Sequence, residues 1–118
     1  MKLIDKLEIN HRPYSRNAID KWHWAKKQRL KREYQFMIRS EMNDKQIKGT
    51  CVKCRIRITC GVKRLMDLDN LIAGLKGFID ALALERYIHD DSPKWLEFEV
   101  KQEKSKEYKI LVERVILP

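Results

Sequence analysis

The sequence lacks several features that would assign it to well-known classes of protein. It has no run of about 18 apolar residues, so we expect no membrane-spanning helix. Residues 1–6 lack the apolar stretch of a secretory signal peptide. Cysteine occurs only three times, an odd number that predicts free thiols in a reducing cytoplasm rather than a disulfide framework. With only four glycines, the chain has no glycine-rich phosphate loop, and no serine or cysteine nucleophile pattern is visible.

Charge is what the sequence has in excess. Charged residues make up 36% of the chain, against a usual share of about 25%, and the formal net charge is +9. This excess favours a polyanionic partner, because each phosphate that a cation neutralises releases condensed counterions. A protein that is merely basic has the same composition, so charge alone does not decide between the two. The length of 118 residues predicts one domain, residues 1–118, with one core.

Hydrophobic periodicity predicts a small α+β domain. Four segments alternate apolar and polar residues and are predicted to be strands: residues 3–10, residues 51–60, a segment that starts near Lys94, and residues 108–116. Residues 17–42 and 69–84 carry apolar residues at helical spacing. The order β-α-β-α-β-β predicts a small mixed sheet of about four strands with two helices packed on it. We expect a hairpin at residues 104–106 to join the last two strands.

The second predicted strand has one apolar and one basic face. Its alternating residues from Val52 to Cys60 should face the core, while Lys53, Arg55 and Arg57 point the other way. These three residues, with the basic first helix, are predicted to hold a DNA backbone without reading its sequence. Lys63 and Arg64, just after the strand, complete the predicted DNA-binding set.

Asp67 and Asp69 lie between this strand and the second predicted helix. In an extended chain, residues two apart face the same way, so the two carboxylates project together. Adjacent carboxylates raise each other's pKa unless a cation balances them. Magnesium does so with one or two carboxylates, water and phosphate oxygens. Capping of the following helix explains the same two residues, so this pair alone does not decide.

A second acidic pair, Asp90-Asp91, precedes the third predicted strand and is equally explained as a turn. Lys76 and Asp80 lie on the helical face of Asp69, opposite an apolar stripe, where they could line a groove. For Asp80 we favour a solvated surface position. Two acidic pairs in so basic a chain favour a metal-dependent nuclease, because clustered carboxylates repel DNA unless metal ions bridge them to phosphate.

These residues, in this order, resemble the RusA family of Holliday-junction resolvases. The matching segments are Asp67-Leu68-Asp69-Asn70-Leu71, Lys76, Asp80-Ala81-Leu82 and Asp90-Asp91, within the stretch from Asp67 to about Val100. The resemblance implies a metal-dependent endonuclease of recombination and repair, often carried by phages and prophages. It implies a homodimer that nicks two strands of a four-way DNA junction. Mg²⁺ is the expected cofactor, with Mn²⁺ as a substitute.

The resemblance also implies roles for individual residues. Asp67, Asp69 and Asp91 match the metal carboxylates of the family and would be catalytic. Asn70 matches the motif asparagine, and Asp90 the first member of the second pair. The family lysine stands four residues after the second Asp, where this chain has alanine. The next lysine, Lys76, keeps the family's distance to the Asp80 segment and shares nearly the same helical face, so it is the expected fourth catalytic residue.

Two other functions fit the same residues. One is a non-catalytic nucleic-acid-binding module whose carboxylates are only caps and turns. The other is a nuclease for flaps or plain duplexes, without junction preference. For the homodimer, the apolar residues that the predicted core does not accommodate are the candidate contacts: Trp24, Tyr87 and Trp95.

Overall fold

Four strands form one mixed sheet in the computed structural model, which describes residues 3–116 of the chain. In chain order the elements are β1 (Leu3–Ile9), α1 (Arg16–Asp20), α2 (Trp24–Asp44), β2 (Cys54–Val62), α3 (Leu68–Gly74), α4 (Lys76–Leu84), β3 (Leu96–Lys104) and β4 (Lys109–Ile116). The strands lie in the order β1-β4-β2-β3, with β2 parallel to β3 and antiparallel to β4. The predicted mixed α+β fold of four strands is therefore confirmed.

The predicted hairpin between β3 and β4 is wrong. β2 lies between these strands and pairs with both of them. The segment after β3 instead crosses the end of β2, where the Ser105 N–H donates to the Val62 carbonyl at 2.8 Å. β2, α3, α4 and β3 thus form a parallel strand–helix–strand unit, which requires a long crossover rather than a tight turn.

The core lies between the helices and one face of the sheet. The apolar stripe of the second helical segment is fully buried at Leu71, Leu75, Phe78 and Leu82. The predicted core face of β2 is fully buried at Cys54, Ile56, Ile58 and Cys60, but not at Val52. β2 starts three residues later than predicted and continues to Val62, so Val52 precedes the strand and is exposed. Phe98 on the edge strand β3 is 42% exposed. Burial raises the pKa of the Cys60 thiol to about 12, so it packs as a neutral group.

Each predicted helix is divided in two. The first divides into α1 and α2, and Ser15 caps the beginning of α1 by accepting the Ala18 N–H. Trp22 lies in the turn between α1 and α2. The second divides at Leu75, between α3 and α4, without interrupting the buried apolar stripe. None of the helices within residues 3–116 combines the length and apolar character needed to cross a membrane.

A close backbone contact joins the first helical region to the second. A Cβ placed on Gly74 would lie 1.9 Å from the carbonyl oxygen of Tyr14. Only glycine leaves room for this approach, so the segment before α1 packs directly on the end of α3. The consequence is that the loop of residues 10–15 borders α3, the helix that carries Asp69.

A buried ion pair ties β1 and β4 to the segment after α4. Arg114 is 5% exposed and donates to one carboxylate oxygen of Asp5 and, at 2.9 Å, to the Tyr87 carbonyl. The Tyr87 hydroxyl donates to the other Asp5 oxygen at 2.7 Å. Burial and this hydrogen bond raise the pKa of Tyr87. Tyr87 is fully buried, so its predicted role as an exposed dimer contact is wrong.

Candidate functional site

Asp67 and Asp69 stand exposed at the beginning of α3. Asp67 is the N-cap, and one of its carboxylate oxygens accepts the Asn70 N–H at 3.1 Å. Asp69 lies in the first turn of the helix. Asp67 therefore caps the helix, which is the alternative to metal binding that the sequence left open. A carboxylate has acceptor capacity on two oxygens, so one capping bond leaves the remainder available to another ligand.

Two sets of hydrogen bonds hold this acidic turn in place. The Met66 N–H donates to the side-chain oxygen of Gln102 on β3 at 3.0 Å, and the Gln102 amide donates back to the Met66 carbonyl. The side-chain oxygen of Asn70 accepts the Asn17 N–H at 3.0 Å. The motif asparagine therefore links α1 to α3, a position in which it orients the acidic turn without needing to touch a ligand.

Asp91 meets Asp80 rather than the acidic turn. Its partial burial, together with the hydrogen bond and charge of Asp80 and then of Asp90, raises the pKa of Asp91. Hydrogen bonds from Ser92 lower the pKa of the neighbouring Asp90. Asp80 is half-buried, so the solvated position that we favoured for it from the sequence is wrong. The chain segment of residues 85–95 folds back along α4, which a linear motif does not reveal.

The aspartates therefore stand as two pairs, Asp67 with Asp69 and Asp80 with Asp91. Within residues 3–116, no group of three or more His, Cys, Asp or Glu side chains is arranged to hold a metal ion. The donor chemistry of either pair suits Mg²⁺, which needs one or two carboxylates and completes its coordination with water and phosphate. His89, next to the second pair, packs its ring on Trp95 at 4.3 Å between centroids.

A cleft of about 500 Å³ separates the two helical regions. Lys76 and Asp80 line it from α4, and Lys27 and Lys31 line it from α2. Arg16 also lines it but is paired within α1. Among the ion pairs of the described residues, none involves the three lysines of the cleft. The cleft therefore combines unpaired cations with one member of the Asp80–Asp91 pair.

The basic face predicted for β2 is largely neutralised by β3. The parallel register places Arg55 beside Glu97 and Arg57 beside Glu99. The Arg55 guanidinium lies 3.2 Å from a carboxylate oxygen of Glu97, and Arg57 is hydrogen-bonded to Glu99. The hydrogen bond between Arg57 and Glu99 raises the pKa of Arg57 and lowers that of Glu99. Lys53 lies 3.7 Å from the same Glu97. The strand thus offers a polyanion much less net charge than its sequence indicates.

The other two predicted DNA-binding residues differ from those of the strand. Lys63 and Arg64 follow the end of β2, and both are exposed. Neither has a carboxylate partner among residues 3–116. They lie just before the acidic turn in the chain.

Neither the models of known protein families nor the curated proteins give a match to this chain. The resemblance to the RusA family therefore rests on the motif residues themselves. The contact of Asp80 with Asp91, and the position of Lys27 and Lys31 in the cleft, were not identified from the sequence. The only signal for the two lysines was their spacing of four on a basic helix, which places them on one face.

Proposed function

We propose that this protein is a metal-dependent endodeoxyribonuclease that cuts branched DNA, in particular four-way junctions, in recombination and repair. The observation that carries the proposal is the presence of two aspartate pairs on one strand–helix–strand unit, together with a cleft that Asp80 lines with three lysines free of ion pairs within residues 3–116. Lysines attract a phosphate backbone, whereas carboxylates repel it unless a divalent cation lies between. A metal-dependent phosphodiesterase accounts for both features together.

Asp67, Asp69 and Asp91 are the proposed ligands of Mg²⁺, or of Mn²⁺ in its place, with Asp67 and Asp69 forming one half-site and Asp91 belonging to the other. Asp80, which faces Asp91, adds a fourth carboxylate. When bound, such an ion supplies an activated water and stabilises the leaving oxygen of the phosphodiester. The residues suit this role because all of them offer hard oxygen donors.

The lysines would act on the substrate directly. Lys76 is exposed at the beginning of α4 and would offset charge on the phosphate in the transition state. Lys27, Lys31, Lys63 and Arg64 would hold the DNA backbone without reading its sequence. A smaller contribution falls to the strand residues that already have glutamate partners, Lys53, Arg55 and Arg57.

The proposal includes a homodimer. Resolving a junction requires two opposed nicks, and a two-fold pair of chains supplies two equivalent sites. Trp24, 68% exposed at the beginning of α2, is the best of the predicted contact residues. Trp95 is half-buried against His89 and is less available. Cys51, Cys54 and Cys60 are free, in keeping with action in the reducing cytoplasm.

A non-catalytic nucleic-acid-binding module is the second candidate. The observation that favours it is the N-cap bond of Asp67, which gives this residue a structural reason to be present. In that case the cleft lysines would still bind DNA, and the aspartates would only shape the fold and tune affinity.

A nicking assay distinguishes these functions. A mobile four-way junction, a flap and a linear duplex of equal length would each be incubated with the protein over a range of Mg²⁺ and Mn²⁺ concentrations. We expect paired, metal-dependent nicks in the junction. Binding without cleavage at every metal concentration would favour the binding module, and equal cutting of all three substrates would remove the junction preference. Light scattering of the DNA-bound protein tests the dimer, which a monomer mass would contradict.

A further inference from the structure

Cations and aromatic rings alternate along the surface beside α3. The Arg12 guanidinium carbon lies 4.8 Å from the ring centroid of Tyr108, and the Lys63 ammonium lies 5.1 Å from the same ring. Both distances are those of cation–π contacts. The whole series, which we name the cation–aromatic ladder, consists of Lys63, Tyr108, Arg12, Tyr14, Trp22 and Lys26.

The ladder continues on the other side of Arg12. This guanidinium carbon also lies 5.0 Å from the ring of Tyr14. Tyr14 in turn meets Trp22 edge to face, with their centroids 4.8 Å apart. The Lys26 ammonium lies 4.0 Å from the Trp22 ring. One series of contacts therefore connects the end of β2 to the beginning of α2.

The three cations of the ladder have no acidic partner. Arg12, Lys26 and Lys63 are exposed, and none of them takes part in an ion pair within residues 3–116. The rings of Trp22 and Tyr108 are half-buried, so each is held in place and still has a surface open to solvent. A ring held by packing loses little freedom when a ligand stacks on it.

The ladder borders α3, the helix that carries Asp69. Tyr14 packs its carbonyl on Gly74 of α3, and the Asn17 N–H is bonded to Asn70. Lys63 lies four residues before Asp67 in the chain. A strand that lay along the ladder would therefore pass beside the beginning of α3.

We propose that the cation–aromatic ladder binds an unpaired strand of nucleic acid, with bases stacked on Trp22 and Tyr108 and phosphates paired with Arg12, Lys26 and Lys63. Single-strand-binding surfaces combine these two kinds of contact, and a stacked base gains more than an exposed cation–ring contact does. A paired duplex buries its base faces and would use only the cations. An acidic polypeptide would likewise leave the rings unused.

This inference rests on the proposed function. In a nuclease for branched DNA, the ladder would lead an unpaired strand of the substrate past Asp67 and Asp69. Binding itself needs neither aspartates nor metal. A binding test without metal therefore separates the two, because a protein that binds single strands and never cuts refutes only the nuclease.

The test is fluorescence anisotropy with a labelled thymidine oligonucleotide of a dozen nucleotides, in the presence of a chelator, against a blunt duplex of equal length. We expect Tyr108→Leu and Trp22→Leu each to weaken oligonucleotide binding about tenfold while duplex binding changes little. Tyr108→Phe keeps the ring and should bind like the parent protein. Lys63→Gln should weaken binding, whereas the matched control Lys48→Gln, at the other end of β4 beside Arg114, should not.

A second measurement stays informative if a leucine variant fails to fold. With Trp24 and Trp95 replaced by phenylalanine, Trp22 is the remaining tryptophan, and a base stacked on it should quench its fluorescence. Absence of quenching at saturating oligonucleotide would overturn the assignment. Folded leucine variants that bind the oligonucleotide like the parent protein would also overturn it. The same holds if the variants lose equal affinity for oligonucleotide and duplex, or if polyglutamate at similar charge concentration displaces the oligonucleotide.

Discussion

The two sides of the sheet use their cations differently. On the outer side, Arg55 and Arg57 of β2 are paired with Glu97 and Glu99 of β3. On the helix side, the lysines of the cleft and the cations of the ladder have no acidic partner within residues 3–116. The net charge of +9 is therefore unevenly available to a polyanion. Strand register, which composition does not contain, decides which cations remain free.

The largest contrast between the two sides should appear in cleavage. Asp69→Asn should reduce the rate of junction cutting by at least about 100-fold, and Asp67→Asn and Asp91→Asn should act alike, because each removes a proposed metal ligand. Binding should persist or tighten, since each change reduces repulsion of phosphate. Glu99→Gln on the outer side makes the same change of charge and should cut normally. Substantial cutting by Asp69→Asn would contradict the metal assignment.

Buried and exposed ion pairs should differ in stability. Asp5→Ala leaves the Arg114 guanidinium buried without its carboxylate and should lower the free energy of unfolding by about 3–5 kcal/mol. Chemical denaturation followed by circular dichroism measures the change. Glu97→Ala on the outer side should change it little, because exposed pairs contribute little. The double variant Asp5→Leu, Arg114→Met should recover much of the loss. An Asp5→Ala protein as stable as the parent would mean that this ion pair is dispensable.

Free and paired cations should also differ in DNA affinity. Lys27→Gln with Lys31→Gln should weaken DNA binding and reduce the slope of affinity against salt by about 1 for each lost phosphate contact. Arg55→Gln with Arg57→Gln removes the same formal charge from residues that already have glutamate partners, and the slope should fall much less. Titrations at several salt concentrations measure both. Equal slopes for the two double variants would mean that the outer side also contacts phosphate.

The smallest expected effect is on stability at neutral pH. The pKa of Asp91 is raised, so the folded chain loses stability as the pH rises through that pKa and the Asp91 carboxyl becomes charged beside Asp80. Asp91→Asn removes this repulsion and should raise the free energy of unfolding by less than about 1 kcal/mol. The gain should vanish at acidic pH. Thermal melts also test the metal: Mg²⁺ should stabilise the parent protein more than Asp91→Asn. A lower melting temperature for the variant at neutral pH would contradict this account.

The sequence predicts the parts of the fold that depend on local periodicity. Alternation identifies β2 and its buried face, and helical spacing identifies the stripe from Leu71 to Leu82. The break at Leu75 is invisible to this reasoning because the apolar stripe continues through it. The break between α1 and α2 falls at Trp22 and His23, and neither is a glycine or proline that would indicate a helix end.

Features that depend on distant pairing could not be predicted. The hairpin expected after β3 was an inference from adjacency in sequence, and β2 occupies the place that it required. The glutamate partners of Arg55 and Arg57 follow from the parallel register of β3. The contact of Asp80 with Asp91 depends on how the segment after α4 returns along the helix. Motif spacing identifies such residues, but it does not predict which of them are in contact.

The central position of β4 also governs how the protein comes together in time. Within residues 3–116, β1 pairs with no strand other than β4, so Leu7 cannot pair until Val112 of β4 is in place. Pairings between residues so far apart in the chain slow folding. The entropy cost of closing a long loop comes before the stabilising contacts form. Until then β2 exposes an unpaired edge, which is a template for association with other chains. Dilute, cool refolding should therefore give markedly better recovery of active protein than concentrated refolding.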